Sequence, residues 1–293
     1  MALGLALRAR GFEVQVACNT NYVLAAERLG FSVVGFEPDM RKLCESEPVR
    51  KFMNGSTTAM FKVEEPFAVR VERLRVLREA CQNFKPDVVL WPGLLAKEAA
   101  VLELLLGVCT IRYQLQPQCA TRDMPPVLLH KAPFGWNSPW WTMLHALTCM
   151  DMKREGGRVA SEAFGVDPFR KASAAAWGHF GLRGNRHRLT ICGVSEHILP
   201  RVPPDWPRPT ATGGMHMTGW WMLDPADQAS ALANRSDALD AEAHALQQFL
   251  AAGDPPVCFG WGSMTCVSSG FMAQLAVRTL RLAGRRGVIV GGW

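Results

Sequence analysis

The sequence predicts an α/β fold with parallel sheets, arranged as a Rossmann-like first domain followed by the start of a second one. Short and nearly all-apolar segments, such as residues 87–91 (DVVLW), alternate with stretches whose apolar residues recur at helical spacing. Strands without a polar face are typical of parallel sheets that helices cover on both sides. A second alternation of this kind begins near residue 255, after a proline-rich connection.

The alternation starts at the beginning of the chain. Residues 2–10 are expected to be helical, since Gly11 then stands where helices commonly end. Residues 12–18 (FEVQVAC) alternate as a strand does, and residues 20–30 have helical apolar spacing with Thr20 as a candidate N-cap. Residues 31–37 (FSVVGFE) form another β-branched run, which predicts the order helix, strand, helix and strand.

The same pattern continues over four further elements, which are a helix at 67–84, a strand at 87–91, a helix at 96–107 and a strand at 108–113. The strand pattern then lapses over residues 124–180, which contain PFGWNSPWW and a long helical stretch through residue 163. It returns at residues 188–194 (RLTICGV) and 215–220.

The domain boundary is expected after a proline-rich segment. Residues 200–209 (PRVPPDWPRP) hold five prolines in ten residues and predict an extended surface connection. A helix at 238–252, a strand running into a glycine-rich turn, a helix at 268–283 and the strand GVIV follow. We therefore predict a first domain over residues 1–222, a linker and helix over 223–254, and the beginning of a second domain over 255–293.

Composition and charge exclude several classes of protein. The 293 residues are 48% hydrophobic and 20% charged, which is unlike an intrinsically disordered chain. The net charge of +6 is spread thinly, and its densest basic stretch, residues 183–188 (RGNRHR), contains no aromatic residue. Such a stretch is typical of a solvated loop, so we predict no nucleic-acid partner.

The cysteines and the apolar runs indicate a cellular location. The nine cysteines include no CxxC pair, so we predict neither a zinc nor an iron–sulfur site. Cysteines inside apolar runs are typical of a reducing compartment. No signal-peptide pattern opens the chain, and no apolar run approaches the ~20 residues that span a bilayer. We expect a cytoplasmic protein, with peripheral membrane contact left open.

The most distinctive local motif is the glycine-rich turn at residues 260–264 (GWGSM), which ends a predicted strand shortly before a helix. Gly260 and Gly262 would let the backbone approach a ligand, the Ser263 hydroxyl can donate to a phosphate oxygen, and backbone N–H groups near a helix start favour anions. Many α/β turns are glycine-rich for geometry alone, and this alternative stays open. The turn is neither a P-loop nor a complete dinucleotide-binding fingerprint.

Several segments together resemble the UDP-dependent glycosyltransferases of the two-Rossmann (GT-B) fold, and within them the branch of sterol glucosyltransferases and antibiotic glycosyltransferases. The resemblance covers nearly the whole chain, and it is most specific in the PPDWP…TGWW and FGWGSM parts. The segments that carry it are AAERLGFSVVGFEPD, QLQPQCATRDMPP, CGVSEHILPRVPPDWP, HMTGWWMLD, PPVCFGWGSM and GVIVGGW.

The resemblance implies a division of labour between two domains, in which the first binds the acceptor and the second binds the nucleotide sugar. It implies transfer of a hexose, typically glucose from UDP-glucose, to a hydroxyl of a sterol or other lipophilic acceptor, with inversion and with no metal or other cofactor. It also implies that Gly260, Gly262 and Ser263 belong to the loop that contacts the donor diphosphate.

Two functional segments of that family have no counterpart in this sequence. The strand and loop that carry the family's catalytic base, a His or Asp, would precede Met1, and its His- and Gly-rich donor segment would follow Trp293. None of the seven histidines follows a first strand, so no catalytic residue is assigned. We therefore expect a chain that is truncated at both ends and inactive in sugar transfer as it stands.

The acceptor side is expected in the segment without strands. A lipophilic acceptor needs a large apolar wall, which aromatic residues supply. The alternative, that these tryptophans pack the insert onto the sheet, stays open. Weaker candidates follow the strand at 108–113, at the edge of the sheet where ligands of α/β proteins bind. The aromatic candidates are Phe134, Trp136, Trp140 and Trp141, and the polar ones are Gln114, Gln116, Thr121 and Arg122.

Two rival functions are considered. A nicotinamide-dependent oxidoreductase would need an acidic residue ~20 positions or more after the glycine-rich turn, where the sequence instead reads VGGW. A non-catalytic α/β protein that binds a lipophilic ligand would keep the acceptor side alone. Binding of a fluorescent sterol distinguishes that protein from an inert fragment.

Overall fold

The computed structural model describes residues 1–37, 42–43, 46–53, 65–126, 133–170, 180, 182, 187–199, 201–232, 237–262 and 268–290. Its contacts divide the chain into two units, one formed by residues 1–15 and 67–223 and the other by residues 16–66 and 224–293. This division does not test the domain boundaries predicted from the sequence, at residues 222 and 254, and they remain a prediction. The predicted α/β fold with parallel sheets is confirmed.

The described residues form eight strands. In chain order they are β1 Gln15–Asn19, β2 Ser32–Phe36, β3 Val88–Pro92, β4 Cys109–Gln114, β5 Leu189–Cys192, β6 Gly214–Met217, β7 Val257–Gly260 and β8 Gly287–Val290.

The helices of the described residues precede the first strand or lie between strands in the chain. They are α1 Ala2–Arg8, α2 Val23–Arg28, α3 Glu47–Met53, α4 Phe67–Phe84, α5 Ala96–Leu106, α6 Asn137–Asp151, α7 Gly157–Phe164, α8 Pro225–Leu232, α9 Asp237–Ala251 and α10 Ser269–Ala283. No helix in this part of the chain is long and apolar enough to cross a membrane.

The sheet of the first unit has four parallel strands in the order β3-β4-β5-β6. Its register aligns Trp91 with Arg112, Arg112 with Thr190, and Thr190 with Met215. All four side chains in this row are buried. A buried row across every strand agrees with the nearly all-apolar strand sequences, because helices cover parallel sheets on both faces.

A hydrophobic core lies between this sheet and its helices. Trp91 of β3 packs with Leu74 of α4, Ala100 of α5, Met152 and Phe169 in one buried cluster. The helix α5 ends at Gly107, which adopts the left-handed conformation (φ +69°) that stops helices. The predicted helices at 67–84 and 96–107 are confirmed to within a residue.

The long helix predicted through residue 163 is interrupted. α6 ends at Asp151, a π-helical turn spans Met152–Gly156, and α7 follows. A Cβ at Gly156 would lie 2.8 Å from the Phe169 ring, and one at Gly157 would lie 2.8 Å from the Asp167 carboxylate. The two glycines therefore let this stretch of the chain approach the segment that follows α7.

Three smaller expectations are corrected. Thr20 does not cap α2; it begins a single 3₁₀ turn at Thr20–Tyr22, and its hydroxyl donates to Glu37 (3.4 Å). The strands predicted at 188–194 and 215–220 are shorter, as β5 and β6 show, because the chain turns at their carboxyl ends. Arg188, expected in a solvated loop, forms an ion pair with Glu103 of α5.

The proline-rich connection is only partly on the surface. Asp205 is exposed as predicted, but Trp206 is buried in a second core cluster with Cys119, Val194 and Met215. Its indole Nε1–H donates to the Cys119 carbonyl (3.1 Å). The expectation of a surface connection is therefore wrong at Trp206 and at Pro203, which is also buried.

The second unit contains a βαβ arrangement in which α10 connects β7 to the parallel strand β8. The Ser268 hydroxyl caps α10 by accepting a hydrogen bond from the backbone N–H of Phe271 (3.2 Å). The predicted helix at 268–283 and strand GVIV are confirmed. In the same unit β1 pairs with β2.

Helices α4 and α5 are joined by a buried ion pair. Arg73 donates from Nε (2.9 Å) and from Nη2 (2.6 Å) to one oxygen of Glu98, and both side chains are 9% exposed. Removing one partner would leave the other charge buried. We predict that Glu98→Ala lowers the free energy of unfolding by about 3–5 kcal/mol, measured by urea denaturation.

The double variant Arg73→Met/Glu98→Leu should recover much of that loss, because it removes both charges and keeps apolar volume. Glu72→Gln is the control, since Glu72 makes only a long (3.7 Å) exposed pair with Arg75 and should change stability by less than about 0.5 kcal/mol. Equal losses for Glu72→Gln and Glu98→Ala would contradict the account.

Gly214 permits the close approach of the proline-rich segment to β6. A Cβ at this residue (φ +83°) would lie 2.1 Å from the Arg208 carbonyl oxygen, whereas one at Gly11 (φ +88°) would meet open space. We predict that Gly11→Ala costs about 1 kcal/mol through backbone strain alone. Gly214→Ala should cost at least about 3 kcal/mol because backbone must also shift. Equal unfolding midpoints in guanidinium would show that the close approach is not required.

Candidate functional site: the carboxyl edge of the four-stranded sheet

The four parallel strands of the first unit all end at one edge of their sheet. In open parallel sheets, ligands bind in the crevice outside this edge. Four chain segments leave the strands here, at residues 93–95, 115–122, 193–195 and 218–221. The structure therefore brings the polar candidates predicted after β4 to the place where a ligand of this fold would bind.

The loop after β4 is shaped by the buried side chain of Gln114. Its Oε1 accepts a hydrogen bond from the backbone N–H of Gln118 (2.9 Å), and its Nε2 donates to the Gln118 carbonyl (3.4 Å). A Cβ at Gly93 would lie 3.6 Å from Oε1 of Gln118 and 3.7 Å from Nη2 of Arg112. The ends of β3 and β4 therefore come together around the side-chain amide of Gln118 and the guanidinium of Arg112.

Arg112 brings positive charge into the sheet beneath this edge. Its side chain is buried, and its guanidinium lies 5.8 Å from the centre of the Trp91 ring. Burial lowers the pKa of Arg112, against the effect of two nearby thiols, Cys119 and Cys192. Burial also raises the pKa of Cys192 to about 11, so this thiol is protonated at neutral pH and is a poor nucleophile.

The Asp205 clamp, formed by Asp205 with Thr121 and Arg122, fixes the far end of the same loop. The Thr121 hydroxyl donates to Oδ1 of Asp205 (2.7 Å), and the backbone N–H of Arg122 donates to Oδ2 (2.9 Å). Burial opposes the charged form of Asp205, but these hydrogen bonds outweigh it and lower the pKa of the carboxyl. Arg201 adds an ion pair with Asp123 (3.0 Å).

Aromatic side chains line the ends of β4, β5 and β6. The Trp221 ring lies 5.8 Å from that of Tyr113 and covers Gly193, where a Cβ would be 2.8 Å from it. The indole Nε1–H of Trp221 donates to the Thr218 hydroxyl (2.8 Å). Trp220 is exposed at the same edge. Our sequence reasoning missed these residues, although the TGWW pattern was the signal for them.

The four predicted aromatic candidates have different environments. Trp141 is 3% exposed, and its indole Nε1–H donates to the Met124 carbonyl (2.9 Å), which favours the packing alternative for this residue. Trp140 is half-buried. Phe134 and Trp136 are 88% and 62% exposed, with ring centres 5.6 Å apart. Only this exposed pair is free to contact a ligand over most of its surface.

Two of the polar candidates, Gln116 and Thr121, also differ. Gln116 is exposed in the loop after β4. Thr121 is buried, and its hydroxyl is engaged with Asp205. The hydrogen bond of Thr121 therefore shapes the loop, whereas the side-chain amide of Gln116 is exposed to solvent.

The glycine-rich turn belongs to the second unit. Gly260 ends β7 beside Val290 of β8, and Gly262 is exposed with φ +60° and open space around it. The rings of Phe259 and Trp261 stack with centres 6.2 Å apart. Ser263 lies outside the described residues. The assignment of this turn to a donor diphosphate stays a prediction.

The described histidines have structural contacts or lie on the surface. Nδ1 of His145 accepts a hydrogen bond from the backbone N–H of Leu182 (3.0 Å), and Nε2 of His216 contacts the carbonyls of Thr210 (3.0 Å) and Gly213 (3.2 Å). His130 and His179 lie outside the described residues. Among the residues that are described, no group of three or more His, Cys, Asp or Glu could hold a metal ion.

Three curated proteins are similar to parts of this chain. Glycosyltransferase GtfC of Amycolatopsis orientalis is 32% identical over 100 residues, which is 34% of this chain and 20% of that protein. The dTDP-epi-vancosaminyltransferase of the same organism is 35% identical over 127 residues, 39% of this chain and 28% of that protein. The O-mycaminosyltylonolide 6-deoxyallosyltransferase of Streptomyces fradiae is 34% identical over 131 residues, 44% and 25% of the two chains.

All three relatives are glycosyltransferases, and the chain spans only about a quarter of their length. No family model matches the chain. Among solved structures, the glycotransferase of kitacinnamycin has a TM-score of 0.38 at 19% identity, covering 68% of this chain and 43% of that chain. The Streptomyces sp. SF2575 glycosyltransferase SsfS6 has a TM-score of 0.35 at 16% identity, covering 71% and 51%.

The Asp205 clamp predicts an acid-sensitive contribution to stability. Because the folded pKa is lowered, this contribution is present above the unfolded pKa near 4 and is lost as the pH falls through the folded value. The residue is exposed, so we expect Asp205→Asn to cost at most about 1 kcal/mol at pH 7 and less at about pH 3. Urea unfolding at both pH values measures this difference.

Asp87→Asn is the matched control for Asp205→Asn, because Asp87 is an exposed aspartate at the opposite end of the sheet. It should leave the urea midpoint unchanged at neutral pH. A cost for Asp205→Asn that is the same at both pH values would mean that the charge of Asp205 does not hold the loop.

Proposed function

We propose that this protein is a glycosyltransferase that moves a hexose from a nucleoside diphosphate sugar to a hydroxyl of a lipophilic acceptor. The observation that carries the proposal is that three curated relatives, each at least 32% identical over 100 residues or more, are all sugar-transferring enzymes. The parallel sheet, with its loops gathered at one edge, supports the proposal as a scaffold on which such a reaction can occur.

The acceptor is assigned to the first unit. A lipophilic acceptor binds to apolar walls with few polar groups, and the exposed Phe134–Trp136 pair supplies such a wall. Trp140 extends this wall. Trp141 is buried and stabilises the segment by donating a hydrogen bond to the Met124 carbonyl. Gln116 is the polar group we assign to orienting an acceptor hydroxyl, and Thr121 acts by holding the loop.

The donor is assigned to the second unit. We propose UDP-glucose, with its diphosphate at Gly260, Gly262 and Ser263, because backbone N–H groups between a strand end and a helix start favour anions. In the transfer, the acceptor oxygen forms a bond to the anomeric carbon while the bond from that carbon to the diphosphate breaks. UDP leaves with the electron pair, the acceptor loses its proton to a base, and the anomeric configuration is inverted. No metal or cofactor enters this scheme.

The identity of donor and acceptor is the finer part of the proposal. We infer a sterol acceptor and a UDP-sugar from the sequence resemblance, whereas the name of one relative specifies a dTDP-sugar and that of another names O-mycaminosyltylonolide. We also infer a cytoplasmic location, because cysteines inside apolar runs are typical of a reducing compartment. Since sterols reside in bilayers, we also expect the protein to contact a membrane surface.

A second function is supported by the exposed aromatic pair. His145 and His216 are held by hydrogen bonds to neighbouring groups, whereas the rings of Phe134 and Trp136 are exposed. A non-catalytic protein that binds a lipophilic ligand would use the same Phe134–Trp136 pair without sugar transfer.

The proposal is tested by incubating the purified protein with UDP-glucose or a dTDP-sugar and with a sterol or a polyketide aglycone. The proposal predicts that mass spectrometry detects the acceptor with one added sugar, in contrast to the expectation from the sequence that the chain is inactive as it stands. Phe134→Ala/Trp136→Ala should raise the KM for the acceptor about tenfold with little change in kcat, because the pair contributes ground-state binding. Leu282→Ala, on the exposed face of α10, is the control and should change neither constant.

The outcomes separate the two functions. Saturable binding of a fluorescent sterol that is weakened in the double variant, without transfer from any donor, would identify the non-catalytic protein. If the protein shows neither sugar transfer nor saturable binding, both proposed functions are overturned.

A further inference from the structure

The exposed side of helix α6 has an apolar stripe, formed by Trp136, Trp140, Met143, Leu147 and Met150. These residues follow each other at steps of four and three, which places them on one face of a helix. Met143, Leu147 and Met150 are 44%, 49% and 66% exposed. The stripe therefore presents apolar surface to solvent along the whole helix.

The opposite face of α6 is the one that faces the core. Trp141 is buried there, and Met152, just beyond the helix, belongs to the core cluster. Between Phe134 and Met150 the sequence contains no Asp, Glu, Lys or Arg. A surface helix ordinarily carries charged residues on its outer face, and contiguous apolar surface of this kind marks an interaction site.

Positive charge collects at the carboxyl end of the stripe. Asp151 is neutralised by Lys97 (2.5 Å). In the π-helical turn that follows, Glu155 is surrounded by Arg154 (3.2 Å), Arg158 (3.1 Å) and Arg70 (3.4 Å), and Lys153 beside it is exposed. Cations thus exceed anions at this end.

Phe134 stands at the other end of the stripe. Its backbone adopts a positive φ (59°), as does that of Gly135 (70°), so the chain turns sharply just before α6. The ring is 88% exposed and leans on Trp136. Aromatic rings held in this way are suited to the boundary between lipid headgroups and acyl chains.

We propose that the stripe is a membrane-docking surface, on which α6 lies in the plane of a bilayer that contains anionic lipids. The apolar stripe enters the headgroup region, Phe134 and Trp136 anchor one end, and the basic cluster at residues 153–158 contacts anionic headgroups. A second copy of this chain fits less well, because it would offer the same stripe and the same excess of positive charge.

Docking would place the Phe134–Trp136 pair at the lipid surface, where a bilayer-resident acceptor can leave the membrane. This last step rests on the proposed function, whereas the docking itself does not. Sugar transfer to an acceptor dissolved in detergent therefore tests the function separately from binding to vesicles.

The test is flotation of the full chain with vesicles of phosphatidylcholine, alone or mixed about three to one with phosphatidylglycerol. The wild-type protein should bind the mixed vesicles at least about fivefold more tightly, since each basic residue near an anionic surface contributes about a fivefold gain. Leu147→Asp/Met150→Asp should weaken binding at least about tenfold, because two charges must then enter the apolar region. Leu282→Asp, with its 91% exposed side chain on α10, is the matched control.

Thermal unfolding of each variant shows whether it is folded. The proposal is overturned if the variant Leu147→Asp/Met150→Asp is folded and floats as the wild-type protein does. It is also overturned if the wild-type protein floats with neither kind of vesicle. Wild-type self-association in sedimentation that this variant abolishes, without vesicle binding, would instead identify a second copy as the occupant and would also overturn it.

Discussion

Parallel pairing of β3, β4, β5 and β6 is the constraint on which the candidate site depends. Parallel strands send their carboxyl ends, and therefore their outgoing loops, to a single edge of the sheet. Such loops carry backbone polar groups that must be satisfied where they leave the sheet. The loop after β4 meets this requirement with Gln114 at its start and Asp205 and Trp206 at its far end. The proline-rich segment thus holds this loop through hydrogen bonds. Gly214 allows the segment to approach β6 closely.

The insert between β4 and β5 has two faces with different roles. Met152 packs in the core cluster, Trp141 is buried and donates to the Met124 carbonyl, and the π-helical turn lies against Phe169. The outer face leaves Phe134, Trp136 and the rest of the stripe exposed. Buried and exposed surfaces are therefore separated across one helix, so that exposed residues can be changed there without removing core contacts.

Local patterns predicted much of this fold. Apolar runs located β3 and β4, and helical spacing with a Gly107 stop located α5, because these elements are decided by residues close in sequence. The break after Asp151 was missed, because Phe169 and Asp167 come into contact with Gly156 and Gly157 only in the folded chain. For the same reason, proline content alone suggested a surface connection and did not reveal that Trp206 is buried. Among the candidate site residues, Trp136 is exposed and Trp141 is buried, a difference that amino-acid composition alone could not predict.

The most direct test of the account is photoaffinity labelling with a diazirine-bearing sterol, followed by mapping of the labelled peptides by mass spectrometry. The account predicts label within residues 115–122 and 134–140, competed by unlabelled sterol. Competable label confined to the surroundings of Gly260 and Gly262, with none at the carboxyl edge of the four-stranded sheet, would contradict the assignment of the acceptor to the first unit.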